Sequence, residues 1–154
     1  MASGPERVQQ ALNDAGIEAR VLRLPESTRT AADAARAVGC EVGAIVKSLL
    51  FMADGEPVLV MCAGDRKVDT GKIASYLGVS SVGMAPVDEV RRITGFAIGG
   101  VPPLGHATQV RTLMDRSLLG WPMVYAAAGA HDSLFPVDPQ RLLEATKAEV
   151  VDVV

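Results

Sequence analysis

Aromatic residues are scarce in this chain: three Phe, two Tyr and one Trp, 4% of 154 residues. Because 49% of the residues are nonetheless hydrophobic, the core has to be packed mainly from Val, Leu, Ile, Ala and Met. No apolar run approaches the roughly 20 residues of a bilayer span. The opening Met-Ala-Ser-Gly-Pro-Glu lacks the basic stretch and apolar run of a secretory signal. Two cysteines, Cys40 and Cys62, make no disulfide framework and have no second pair at metal-ligand spacing. The two histidines, His106 and His131, lie far apart with only Asp132 adjacent, a poor donor set for a metal. No serine stands in a Gly-x-Ser-x-Gly elbow. Neither the Gly-x-Gly-x-x-Gly fingerprint nor a Walker Gly-Lys-Ser/Thr ending is present. What remains is a cytoplasmic protein of one domain, residues 1–154, expected to work without metal or cofactor.

The formal net charge of -3 argues against a general nucleic-acid coat. Its distribution is uneven. Five acids and two bases follow position 131, which leaves 13 of each in residues 1–131. Arg7, Arg20, Arg23, Arg29 and Arg36 crowd the first 36 residues, and Arg66, Lys67 and Lys72 form a second group. Such groups are either solvated surface charge or a local basic face able to hold the end of an RNA.

Short helices and strands alternate along the chain, which predicts an α+β (mixed α/β) domain with a multi-stranded sheet. Pro5–Ala15 is expected to be a helix stopped by Gly16, and Glu18–Leu24 a strand. Thr30 caps a helix that ends at Gly39. Ile45–Met52 and Pro57–Cys62, joined through Asp54-Gly55-Glu56, form a β-hairpin, since Asp-Gly supplies the positive φ of a tight turn. Asp69 caps a helix closed by Gly78, Ser81–Ala85 is a strand, and a helix from Pro86 stops at Gly95. Strands follow near Gln109–Leu113 and Met123–Ala127, then a helix opening at Asp138-Pro139 and a closing strand over Glu149–Val153.

Two places break this regularity. In the first hairpin strand, Ile45, Lys47, Leu49 and Phe51 share one face and Val46, Ser48, Leu50 and Met52 the other, both largely apolar, as in a strand buried mid-sheet. A lysine there either snorkels out at a strand end or meets an anion in a cavity. The second is Ala97-Ile-Gly-Gly-Val-Pro-Pro-Leu-Gly-His106, whose glycines and prolines forbid regular helix or central strand. It is either a stiff connector or a loop whose N–H groups cradle an oxyanion or phosphate. His106 and His131 carry no assignment from pattern alone, and Cys40 and Cys62 read as structural.

Five short stretches in series, Thr30–Ala35, Gly43–Phe51, Gly64-Asp65 with Val68-Asp69, Thr94-Gly95 and Gly99–Gly105, resemble the YbaK and prolyl-tRNA-synthetase-associated editing domains. The likeness runs from about Thr28 to the last helix. It implies a mixed domain around a curved, largely antiparallel sheet. It also implies hydrolysis, in trans, of the ester joining a noncognate amino acid (alanine or cysteine on tRNA for proline) to the terminal adenosine. The family's required lysine falls on Lys47, and its Gly-x-x-x-Pro loop on Gly99–Pro103. Catalysis is therefore expected from Lys47 and the Gly100 amide, with Gly99 and Val101 beside it as oxyanion donors. Thr30, Ser48, Pro103, Gly105, His106 and His131 are expected around the substrate. Where some relatives carry an aspartate before the last helix this chain has Leu134–Val137. Where others show Gly-x-His it has Gly129-Ala-His131, which implies that His131 borders the pocket. The expected partners are the tRNA 3′ end and prolyl-tRNA synthetase. The competing readings are a non-catalytic tRNA- or synthetase-binding module of the same fold and a hydrolase of another small ester.

Overall fold

The computed structural model describes residues 3–25 and 30–154; Thr28 and the basic residue Arg29 lie outside them. The helices form where the caps predict. In α1 (Gly4–Asp14) the Ser3 hydroxyl accepts from the Glu6 amide and Pro5 occupies the first turn, with Val8 and Leu12 fully buried. Thr30 accepts from the Asp33 amide at the head of α2 (Ala31–Val38). Asp69 accepts from Gly71 and Lys72 at the head of α3 (Thr70–Leu77), and Asp138 from Gln140 at the head of α5 (Pro139–Thr146). Between these last two lies α4 (Val87–Thr94).

The hairpin strands β2 (Ile45–Ala53) and β3 (Glu56–Ala63) pair antiparallel from Val46↔Ala63 to Ala53↔Glu56. Asp54 (φ 48°) and Gly55 (φ 85°) turn between them, both left-handed as a two-residue turn of this kind demands. The remaining strands are β1 (Leu22–Arg23), β4 (Val82–Met84), β5 (Arg111–Asp115), β6 (Val124–Ala127), β7 (Ser133–Val137) and β8 (Glu149–Val151). They assemble in the order β1-β7-β6-β2-β3-β5-β8, with β4 also on β2. Four pairings are antiparallel (β1/β7, β6/β7, β2/β3, β2/β4) and three parallel (β2/β6, β3/β5, β5/β8). The sheet is therefore mixed.

The strand expected over Glu18–Leu24 shrinks to Leu22–Arg23 for a local reason. The Gln9 side chain donates to the Ala19 carbonyl and accepts from the Val21 amide, so a helix side chain, not a neighbouring strand, satisfies that backbone. The strand expected over Gln109–Leu113 sits two residues later, because its ladder on β3 runs from Val58↔Arg111 to Met61↔Met114.

Apolar side chains fill both faces of the β2–β3 pair. Val46, Leu50, Leu59 and Met61 pack with Val8, Leu12, Val90 and Phe135 on one side. Phe51, Val58, Val60 and Leu113 meet Ile73 of α3 on the other, where Ile45 also meets Ala34 and Ala35 of α2. Among the described residues no helix is long and apolar enough to cross a membrane.

Candidate active site

One edge of β2 is fully laddered and the other is not. On the edge away from β3, β6 pairs with Ile45 and Val46, and β4 pairs with Phe51 to Ala53. The Ala85 amide also donates to the Leu50 carbonyl. Lys47, Ser48 and Leu49 stand between these partners, at a gap in the sheet. Since the Gly64 amide donates to the Ile45 carbonyl, odd-numbered β2 residues turn their peptide groups toward β3. The N–H and C=O of Ser48 consequently face the gap.

A cavity of about 290 Å³ fills this opening. Val46 to Leu50 make its floor, and Thr30, Ala31 and Ala34 of α2 one wall. The loop residues Ile98, Gly99 and Val101 make the opposite wall, with Met84 at the rim and Ala127 and Leu134 at the end. The small side chains of α2 leave the room that larger ones would fill. The Ser48 hydroxyl is buried and has no hydrogen-bond partner among the described residues. Lys47 is half-buried, and its Nζ donates to the Arg66 carbonyl at 2.6 Å. An ammonium carries three donors, so this anchor leaves two. Cys62 lies opposite Lys47 in the ladder. Burial pushes its thiol up to about 11 against the pull of the Lys47 charge, which keeps it neutral and unreactive.

The loop after α4 is stiffened from behind. Gly99 takes φ 98°, a conformation that side chains resist. Gly100 is needed for a different reason, since a Cβ there would stand 2.8 Å from the Ala130 backbone. The Gly100 carbonyl accepts from the Gly129 amide at 2.9 Å. Pro102 and Pro103 are buried, and His106 Nε2 lies 2.6 Å from the Pro102 carbonyl. The His106 ring meets Phe96 edge-on, and the Arg7 guanidinium of α1 covers that Phe ring at 4.2 Å. Burial pushes the His106 imidazole below its ordinary pKa, while the Pro102 carbonyl pulls it up.

Of the residues singled out from sequence, Thr30, Lys47, Ser48, Gly99 and Val101 meet at this cavity. Gly100, Pro103, Gly105, His106 and His131 do not line it. The Gly100 amide, expected as an oxyanion donor, here donates to the Ala97 carbonyl at 3.2 Å. Gly105 packs toward Ala11 of α1, and His106 braces the loop on the same side. His131 is exposed on the turn whose Ala130 abuts Gly100, one layer removed from the substrate position expected for it. Sequence reasoning missed Met84 and Ile98, 60% and 56% exposed at the cavity mouth. Their signal, a large apolar residue beside a glycine, is too common to single out. Among the described residues no three His, Cys, Asp or Glu side chains gather into a cluster able to hold a metal ion.

This geometry has close relatives. A crystal structure of a proposed trans-editing enzyme for prolyl-tRNA synthetase superposes with a TM-score of 0.94 at 45% identity, over 99% of this chain and 98% of that one. The YwhH protein of Bacillus subtilis, itself without an assigned role, is 34% identical over 131 residues, 84% of this chain and 83% of YwhH. A proline–tRNA ligase of Citrifermentans bemidjiense is 35% identical over 101 residues, which are 66% of this chain but only 18% of the ligase. The profile of the aminoacyl-tRNA editing domain matches residues 25–145, and the chain belongs to that family.

Proposed function

We propose that this protein is an aminoacyl-tRNA deacylase that acts in trans, in the cytoplasm, on tRNA carrying a small noncognate amino acid. Alanine or cysteine on tRNA for proline is the foremost candidate. The observation that carries this reading is the cavity itself. In a member of an editing family, a lysine and a glycine-proline loop flank one opening of about 290 Å³ at a break in the sheet. The Lys47 ammonium supplies positive charge for the ester carbonyl or a 3′-end phosphate oxygen. The Gly99 and Val101 amides, rather than that of Gly100, are the oxyanion donors. Water adds to the ester carbon, with the tRNA's own ribose hydroxyl positioning it, as the family resemblance suggests. The bond from that carbon to the ribose oxygen then breaks, and the water's proton passes to the leaving oxygen. Free amino acid and a tRNA 3′-hydroxyl result.

Thr30 at the cap of α2 and the Ser48 hydroxyl supply polar contacts to the aminoacyl group. The small walls restrict its side chain, although one methylene discriminates by only about 1–3 kcal/mol. Pro103, Gly105, His106 and His131 act through the loop by holding its shape. Prolyl-tRNA synthetase is the natural partner, since it supplies the mischarged tRNA.

Incubation with Ala-, Cys- and Ser-charged tRNAs, following release of labelled amino acid, is the test. Release from at least one is expected, and none from any of them rejects the deacylase. One observation favours a binding module instead: Lys47 Nζ is already anchored on Arg66. Tight tRNA or synthetase binding without ester cleavage selects that alternative.

A further inference from the structure

A second concavity, of about 280 Å³, lies beside the first at the end of the same strand pair. Ala63 lines it, and Ala63 pairs with Val46 of the first cavity's floor. Arg66 lines it too, and its carbonyl holds the Lys47 amine. Two adjoining hollows joined through one lysine suit a ligand made of successive units.

The chemistry of this second hollow differs from the first. Its walls include the half-buried indole of Trp121, the Arg66 guanidinium, the Asp65 carboxylate and Ser117. Gly43 lets the indole in, because a Cβ there would lie 2.8 Å from Trp121 Cζ2 and 3.2 Å from Asp65 Oδ2. Asp65 and Arg66 are only loosely paired at 3.9 Å, and each is more than half exposed. An aromatic face, a cation and a carboxylate in one hollow match an unpaired nucleotide. The base stacks on the ring, the phosphate meets the guanidinium, and an exocyclic amine donates to the carboxylate.

We infer that the Trp121 hollow holds a nucleotide preceding the terminal adenosine of the tRNA single-stranded 3′ end. The inference rests on the deacylase reading for the identity of the ligand, but its test does not depend on turnover. Trp121 is the only tryptophan in the chain, so its fluorescence reports this hollow alone.

Titrating the protein with the trinucleotide cytidylyl-cytidylyl-adenosine is expected to quench that emission saturably, whereas adenosine alone does not. Lys47→Ala is expected to keep the quench while losing turnover. In kinetics, Trp121→Ala raises KM for charged tRNA about tenfold, the scale of one lost base stack, and Trp121→Phe restores most of it. Cleavage of the minimal ester, alanyl-adenosine, stays unchanged in Trp121→Ala, which also shows that the variant is folded. No quench by the trinucleotide, or equal losses on tRNA and on the minimal ester in a folded variant, overturns the inference. If the wild type cleaves neither substrate but the trinucleotide still quenches, the deacylase fails and the nucleotide hollow stands.

Discussion

The two edges of β2 use the same strand for opposite ends. Toward β3 the ladder runs unbroken from Val46↔Ala63 to Ala53↔Glu56, and the β3 residues Val58 to Cys62 are almost fully buried. Toward the other neighbours the pairing stops at Val46 and resumes only near Leu50. The Ser48 peptide groups are left facing a cavity. An unpaired backbone edge is normally a liability that proteins cover. Here Gly99 and Val101 wall a cavity of about 290 Å³ on that edge instead of closing it. Stability resides on the laddered edge, and the candidate chemistry on the broken one.

The sharpest way to break this contrast is one substitution on each edge. Lys47→Ala is expected to lower deacylation about a thousandfold, roughly 4 kcal/mol of transition-state stabilisation, with little change in the thermal midpoint. A variant that keeps full activity would move the active centre elsewhere. On the laddered side, Leu59→Ala removes a side chain with no exposed surface. It is expected to cost about 3 kcal/mol in urea unfolding while turnover of the remaining folded protein persists. A specific loss of activity there, without loss of stability, would mean that the two edges are not separable. Ser48→Ala gives a smaller and opposite pairing of effects. Removing a buried hydroxyl that has no protein partner should leave stability equal or raise it by about 1 kcal/mol. The same change should lower affinity for the aminoacyl end. A clear drop in the unfolding midpoint would show that the hydroxyl is already satisfied in the folded protein.

The laddered edge was legible in the sequence because its signals are local. Asp54-Gly55 fixes the turn, the flanking apolar runs fix the strands, and Thr30, Asp69 and Asp138 fix three helix starts within a residue. The sheet order was not legible, since parallel partners such as β3 and β5 are separated by some fifty residues and no local pattern names them. Part of the cavity lining, Lys47 with Gly99 and Val101, was singled out by chemistry that looks out of place, a lysine among apolar neighbours and a loop with too many glycines and prolines. The division of labour within that loop did not follow. Gly99 and Gly100 are adjacent and identical in sequence, yet one is required by its φ and the other by the Ala130 backbone pressing on it. Only the fold brings residues 100 and 130 together, so no reading of either stretch alone shows which of the two glycines has the Ala130 backbone against it.

The mildest probe of the contrast is pH, through His106, which braces the open side from behind. Its imidazole titrates below the ordinary value of 6.5 in the folded protein, chiefly because burial disfavours the charged ring. The unfolded chain therefore takes up that proton at a higher pH than the folded one. The contribution is fully present above 6.5 and is lost as pH falls from there toward the lowered folded value. A wild type cooled in its stability by acid over this window, and a His106→Gln variant that lacks that part of the dependence, are the expected results in thermal unfolding. Hydrogen exchange places the effect. Charging the buried ring draws water toward it even though the Pro102 carbonyl still accepts from it, so the amides of Gly99 to Val101 should lose protection at about pH 5.5 while those of β3 keep theirs. Faster exchange spread equally over both edges would mean that His106 supports the whole fold, and the division between a stable edge and a working edge would not extend to the loop.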